Sequence, residues 1–126
     1  MDIFARRAQL KTLNNPNKTI DYIITLETSI SQTPITLTLR YIPDKVILDS
    51  RCFNSYITEV AAHQEDQHIE TLAATMVEDF NNELVTKWVQ VTAYEDLGDS
   101  SKHNVVIEDK QPRWDNPHLL ARLSKI

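Results

Sequence analysis

The chain has 126 residues, a length suited to one domain with a core of its own. Its net charge of −5 excludes a bulk basic field for holding a nucleic-acid backbone. One cysteine excludes an intrachain disulfide, and one glycine excludes the multi-glycine loops that bring backbone close to phosphate in P-loop and dinucleotide-binding enzymes.

Residues 1–13 mix charge with apolar side chains and carry no period. They lack the continuous apolar core of a signal peptide, and no apolar run approaches the roughly 20 residues of a membrane span. Together with the lone Cys52, this leads to the expectation of a reducing, cytoplasmic address with no membrane partner. Arg6, Arg7 and Lys11 read as a solvated basic tail. Asn14-Asn15-Pro16-Asn17 is turn chemistry.

A strand follows, with Ile20, Tyr22, Ile24 and Leu26 alternating against their neighbours, and then a polar connection from Thr28 to Pro34. The second strand is clearer: Ile35, Leu37, Leu39 and Tyr41 share one face, and Pro43-Asp44 ends it. The period then becomes helical. Phe53, Tyr56, Ile57 and Val60 form one stripe behind Asp49 or Ser50 as cap; after a polar break at 63–67, Ile69, Leu72, Ala73, Met76, Val77 and Phe80 form another. Glu70, Glu78 and Asp79 lie off that second stripe.

Strand pattern returns from Lys87 to Tyr94, with a polar turn at Glu95–Lys102 and a short fourth strand from Asn104 to Ile107. Leu119, Leu120 and Leu123 close the chain as a helical turn or docking segment. The order β-β-α-α-β-β predicts a single α+β domain over 1–126, with a core of about 15–109: a four-stranded antiparallel sheet bearing both helices on one face. Two open sheet edges make a homo-oligomer the physical expectation.

Three stretches resemble the NADPH-dependent 7-cyano-7-deazaguanine reductases, the nitrile reductases of queuosine biosynthesis. Asn15-Pro16-Asn17 with Asp21-Tyr22 is similar to that family's entry to its first strand. Leu39-Arg40-Tyr41-Ile42-Pro43-Asp44-Lys45 is similar to its second strand and exit turn. Asp49-Ser50-Arg51-Cys52-Phe53-Asn54-Ser55-Tyr56 partly matches its first-helix signature, usually Glu-Ser-Lys-Ser, an apolar residue, then Lys and an aromatic two positions on. The resemblance runs from about Asn15 to Tyr94. It implies the tunnelling fold, whose ββααββ units assemble into oligomeric barrels with purine-like substrates at subunit interfaces.

The same resemblance implies missing chemistry. The family's nucleophilic cysteine and proton-donating aspartate lie between its first two strands, but residues 26–35 here read Leu-Glu-Thr-Ser-Ile-Ser-Gln-Thr-Pro-Ile. Thr28 or Ser29 is a weak substitute, because an alcohol without an activating base is a poor nucleophile. Cys52 falls where the family has serine and reads as a small packed residue. In the family's Phe-His-Glu, His68 matches the histidine, Ile69 replaces the glutamate and Glu70 stands one position on. One helical step is a turn of about 100°, so Glu70 reads as a base anchor only if the backbone shifts, and otherwise as a solvated helix face. Glu65 and Asp66 are weaker candidates. The substrate-binding set implied by the resemblance is therefore Glu70, His68, Ser50 and Arg51, with Arg51 also toward the cofactor. The family's basic, glycine-rich turn for NADPH phosphates is here Glu95-Asp96-Leu97-Gly98-Asp99, which is acidic and repels phosphate.

No metal site is expected, because His63 and His68 are five apart and metal-binding pairs on a helix need a spacing of three or four. Trp88, Tyr94 and Trp114 read as sheet-face or interface filling rather than as stacking platforms. Three functions stay in competition. The first is a diverged, catalytically silent reductase relative that binds a purine-like ligand. The second is an enzyme of altered chemistry on a purine- or pterin-like substrate. The third is an interaction module without a small-molecule site.

Overall fold

The computed structural model describes residues 3–64, 66 and 68–123. In chain order the elements are α1 (Ile3–Arg7), β1 (Thr12–Asn14), β2 (Ile24–Ser29), β3 (Ile35–Ile42), β4 (Val46–Leu48), a 3-10 turn (Ser50–Cys52), α2 (Phe53–Ala62), α3 (Ile69–Glu83), β5 (Trp88–Asp96), β6 (Lys102–Lys110) and α4 (Pro117–Leu120). Four strands form the main sheet in the order β2-β3-β5-β6, antiparallel throughout, and β1 pairs with β4 in a two-stranded ribbon. No helix among the described residues is long and apolar enough to cross a membrane.

Register turns the alternation of each strand into a layer. Leu26, Leu39, Val91 and Ile107 stand in one row across the sheet, and Thr28, Leu37, Ala93 and Val105 in the next. These rows meet the apolar stripes of α2 and α3 in one core, with Tyr56, Ile57, Met76 and Phe80 almost fully buried. The Phe80 ring sits between Tyr41 and Tyr56, at centroid distances of 6.1 and 6.0 Å. Tyr41 accepts a hydrogen bond from the Leu48 N–H, and burial pushes its phenol up to about 12. The expected α+β layer, with antiparallel strands and both main helices on one face, is what the chain builds.

Several expectations need correction. The first sheet strand begins at Ile24 rather than Ile20, because Asp21 and Tyr22 are held elsewhere: Asp21 accepts from Lys87, Trp114 and Asn116, and the Tyr22 hydroxyl donates to Asn15. The fourth strand is longer than expected and runs from Lys102 to Lys110, since the ladder to β5 overrides the weak local pattern of its ends. Residues 3–14 are no loose tail. They form α1 and β1, and Arg6 and Arg7 both bind the buried carboxylate of Asp79. Asn15 is buried; it donates to the Asp44 carbonyl and accepts from the Asn17 N–H and the Tyr22 hydroxyl. The Asn-Pro-Asn, Asp-Tyr and Pro-Asp stretches thus meet in one polar knot that joins two loops.

Candidate ligand-binding cavity

The β2–β3 connection closes over the helices as a tight turn. The Ile30 N–H donates to the Ile35 carbonyl, Thr33 donates to the Ile30 carbonyl from both its N–H and its hydroxyl, and Gln32 takes a positive φ of 64°. Thr28 points to the helical face and its hydroxyl lies 3.3 Å from the Asn54 side-chain oxygen, which ties the end of β2 to the first turn of α2. Beneath this turn lies a cavity of about 290 Å³. Ser29, Ile30, Ser31, Thr33 and Ile35 form its roof; Asn54, Ile57, Thr58 and Ala61 of α2 form one wall; His68, Ile69 and Leu72 form the other.

The α3 wall is anchored by Asp66. Its carboxylate accepts from the His68 N–H at 3.0 Å, from the Thr71 hydroxyl at 3.0 Å and from the Gln64 amide at 2.9 Å, a set that ties the segment before α3 to its first turn. The Gln64 hydrogen bond is the main reason this carboxyl sits below the usual range. Gln64 also donates to the His68 carbonyl at 2.8 Å. The position of His68 is thereby fixed by backbone contacts on both of its peptide groups.

The cavity lining is apolar with neutral polar groups: hydroxyls of Ser29, Ser31, Thr33 and Thr58, the amides of Asn54 and Gln64, and the imidazole of His68. Among the described residues, no carboxylate, ammonium, guanidinium or thiol lines it. Such a surface suits a small ligand with apolar surface and a few neutral hydrogen-bonding groups.

Of the four residues expected to bind substrate, only His68 lines the cavity. Glu70 turns toward β6, where its carboxylate lies 3.3 Å from His103 Nε2, while His103 Nδ1 lies 3.7 Å from the Glu95 carboxylate. Ser50 and Arg51 sit in the exposed 3-10 turn before α2, and Arg51 folds back to bind Asp49 at 3.0 and 2.8 Å. That pairing holds the Asp49 carboxyl below its usual range. Glu65 lies outside the described residues. Cys52 does not line the cavity and accepts a hydrogen bond from the Lys11 N–H at 3.4 Å. The α2 wall of the cavity and the placement of His103 between Glu70 and Glu95 escaped the sequence reading, because these partners are distant in the chain and no local spacing marks them.

The β5–β6 turn does not fit a dinucleotide phosphate. Asp96 accepts from the Gly98 N–H at 2.9 Å and Asp99 from the Ser101 N–H at 3.1 Å, so carboxylates already occupy the amides a phosphate would need. Among the described residues, no three His, Cys, Asp or Glu side chains are grouped to hold a metal ion. Comparison with known proteins finds no matching family model and no matching curated protein.

Proposed function

We propose that this chain is a diverged relative of the 7-cyano-7-deazaguanine reductases, built on the tunnelling fold, that binds a purine-like base without performing nitrile reduction. One observation carries the reading. The two stretches where the resemblance puts the ligand site, the connection between the first two sheet strands and the start of the second main helix, are the roof and one wall of the same cavity. The position of Asn54, where the family usually has lysine, supplies the other wall. The lining offers hydrogen bonds and apolar surface but no thiolate to add to a nitrile carbon.

The sheet also favours self-assembly. It has four antiparallel strands, so its edges β2 and β6 run in opposite directions. A second copy placed by rotation about an axis along the strands continues the antiparallel alternation and keeps the helices on one face. Repetition closes such a sheet into a homo-oligomeric barrel, which removes both edges.

Native mass spectrometry with 7-cyano-7-deazaguanine, with and without NADPH, tests the reading. The expected result is an oligomer that takes up the base, takes up no NADPH and forms no amine. Ala61→Phe, which fills the cavity from α2, is expected to abolish uptake while the circular-dichroism spectrum stays unchanged. A wild-type protein that ignores the base, or one that converts nitrile to amine, would overturn it.

A further inference from the structure

A second cavity, of about 280 Å³, lies where α1, α2 and α3 meet. The Tyr56 hydroxyl, near the start of α2, donates to Asp79, near the end of α3, so the two helices run antiparallel. Arg6 of α1 closes on the same carboxylate through Nε and Nη2, each at 2.7 Å. Glu59 of α2 and Thr75 of α3 stand about one helical turn from that network, and with Arg6 they line the near end of the cavity. About one turn further on, His63, Gln64, Asp66 and Thr71 line its far end.

The bonds these groups already make fix what they have left to offer. The Arg6 guanidinium commits Nε and Nη2 to Asp79 and has further N–H donors to give. The half-buried Glu59 holds its carboxylate 3.5 Å from His63 Nδ1, and that nitrogen lies 3.0 Å from the Glu59 carbonyl oxygen. Nδ1 therefore carries the hydrogen, and in the neutral ring Nε2 is an acceptor. Gln64 Nε2 donates to Asp66 and to the His68 carbonyl, which uses both amide hydrogens and leaves Oε1 as an acceptor. Among the described residues, Asp66 Oδ2 accepts from Thr71 alone. The near end thus sets a cation beside an anion, and the far end offers acceptors.

We infer that this cavity binds a free α-amino acid whose side chain carries N–H donors, with its carboxylate on Arg6, its ammonium on Glu59 and its side chain on Gln64, Asp66 and His63. A simple anion placed here meets the carboxylates of Glu59 and Asp66, and a simple cation meets Arg6. A zwitterion satisfies both signs at once, and the Thr75 and Thr71 hydroxyls lie along the wall between the two ends. Arg6 reaches the ligand only while α1 is docked, so occupancy also holds the N-terminal helix in place. This site is separate from the cavity of the base-binding function, and Gln64 lines both.

The probes are L-glutamine and L-arginine, titrated into isotope-labelled protein and followed through its backbone amide signals. At least one is expected to give saturable shifts at Arg6, Glu59, Thr71 and Thr75, with a Kd of about 1 mM. Its N-acetyl derivative, which has no ammonium, its carboxamide, which has no carboxylate, and L-leucine, which has no side-chain donor, should each bind at least about tenfold more weakly. Glu59→Gln should weaken the amino acid about tenfold and leave the N-acetyl derivative unchanged. Ala61→Phe, which fills the other cavity, should leave the binding as it is. Phe4 of α1 is 80% exposed, and the bound amino acid should slow chymotryptic cleavage after it. The inference is overturned if neither probe gives saturable shifts up to about 10 mM, or if the N-acetyl derivative binds as well as its parent. Binding that is lost in Ala61→Phe but kept in Glu59→Gln, or that leaves cleavage after Phe4 as fast as before, overturns it equally.

Discussion

At the residue scale, Asp79 decides how the N-terminus is held. Its carboxylate is fully buried and receives Arg6 as a fork at 2.7 and 2.7 Å, Arg7 at 3.0 Å and the Tyr56 hydroxyl. The hydrogen bond to Asp79 holds the Arg6 guanidinium above its usual range, and burial beside this carboxylate pushes the Tyr56 phenol up as well. Removing one partner of a buried ion pair strands the others without a counter-charge. Asp79→Ala is therefore expected to cost about 3 kcal/mol in urea unfolding, with residues 3–7 becoming sensitive to protease. Thr86 shows the opposite case. Its hydroxyl is buried and has no hydrogen-bond partner among the described residues. Thr86→Val keeps the shape and removes the unpaired group, so a gain of about 1 kcal/mol is expected in the same measurement.

At the element scale, the turn from α3 into β5 carries local strain. Leu84 and Val85 both donate to the Phe80 carbonyl as the helix ends, and Val85 then adopts a φ of 49°. A β-branched side chain is disfavoured there, where glycine is the usual helix-ending residue. Val85 is largely exposed, so little packing compensates. Val85→Gly is expected to raise stability by about 1 kcal/mol, read as a higher melting temperature with an unchanged fold. The strands and helices themselves were legible from period. Leu37, Leu39 and Tyr41, the α2 stripe and the α3 stripe all face the core as their spacing requires. The ribbon of β1 and β4 was not legible, because three-residue strands are too short to show a period and exist through pairing with each other.

At the scale of the whole molecule, Asp21 joins the segment before the sheet to the segment after it. It accepts from Lys87 at 2.8 Å at the entry to β5, and from Trp114 at 3.0 Å and Asn116 at 3.2 Å beyond β6. The Lys87 hydrogen bond, with those from Trp114 and Asn116, holds its carboxyl below the usual range against the opposing effect of burial. A carboxyl depressed in the folded state stabilises above its unfolded pKa and loses that contribution as pH falls through the folded one. Acid unfolding of the wild type should therefore steepen below about pH 4. Asp21→Asn should be less stable at neutral pH and show a shallower fall in that acid range, measured as melting temperature against pH.

Periodicity and turn chemistry by themselves determined the β-β-α-α-β-β order, the faces turned to the core and the antiparallel layer, because each depends on residues a few positions apart. His68 and the absence of a thiol between the first two strands came instead from the resemblance to the reductases, and His68 lines the cavity. Only the tertiary structure decided that Arg6 and Arg7 meet Asp79, that Glu70 turns to His103 rather than to the cavity, and that Asn54 and the β2–β3 turn enclose one space. Those contacts join residues far apart in the chain, and a contact made by chain folding leaves no repeat in the sequence to announce it.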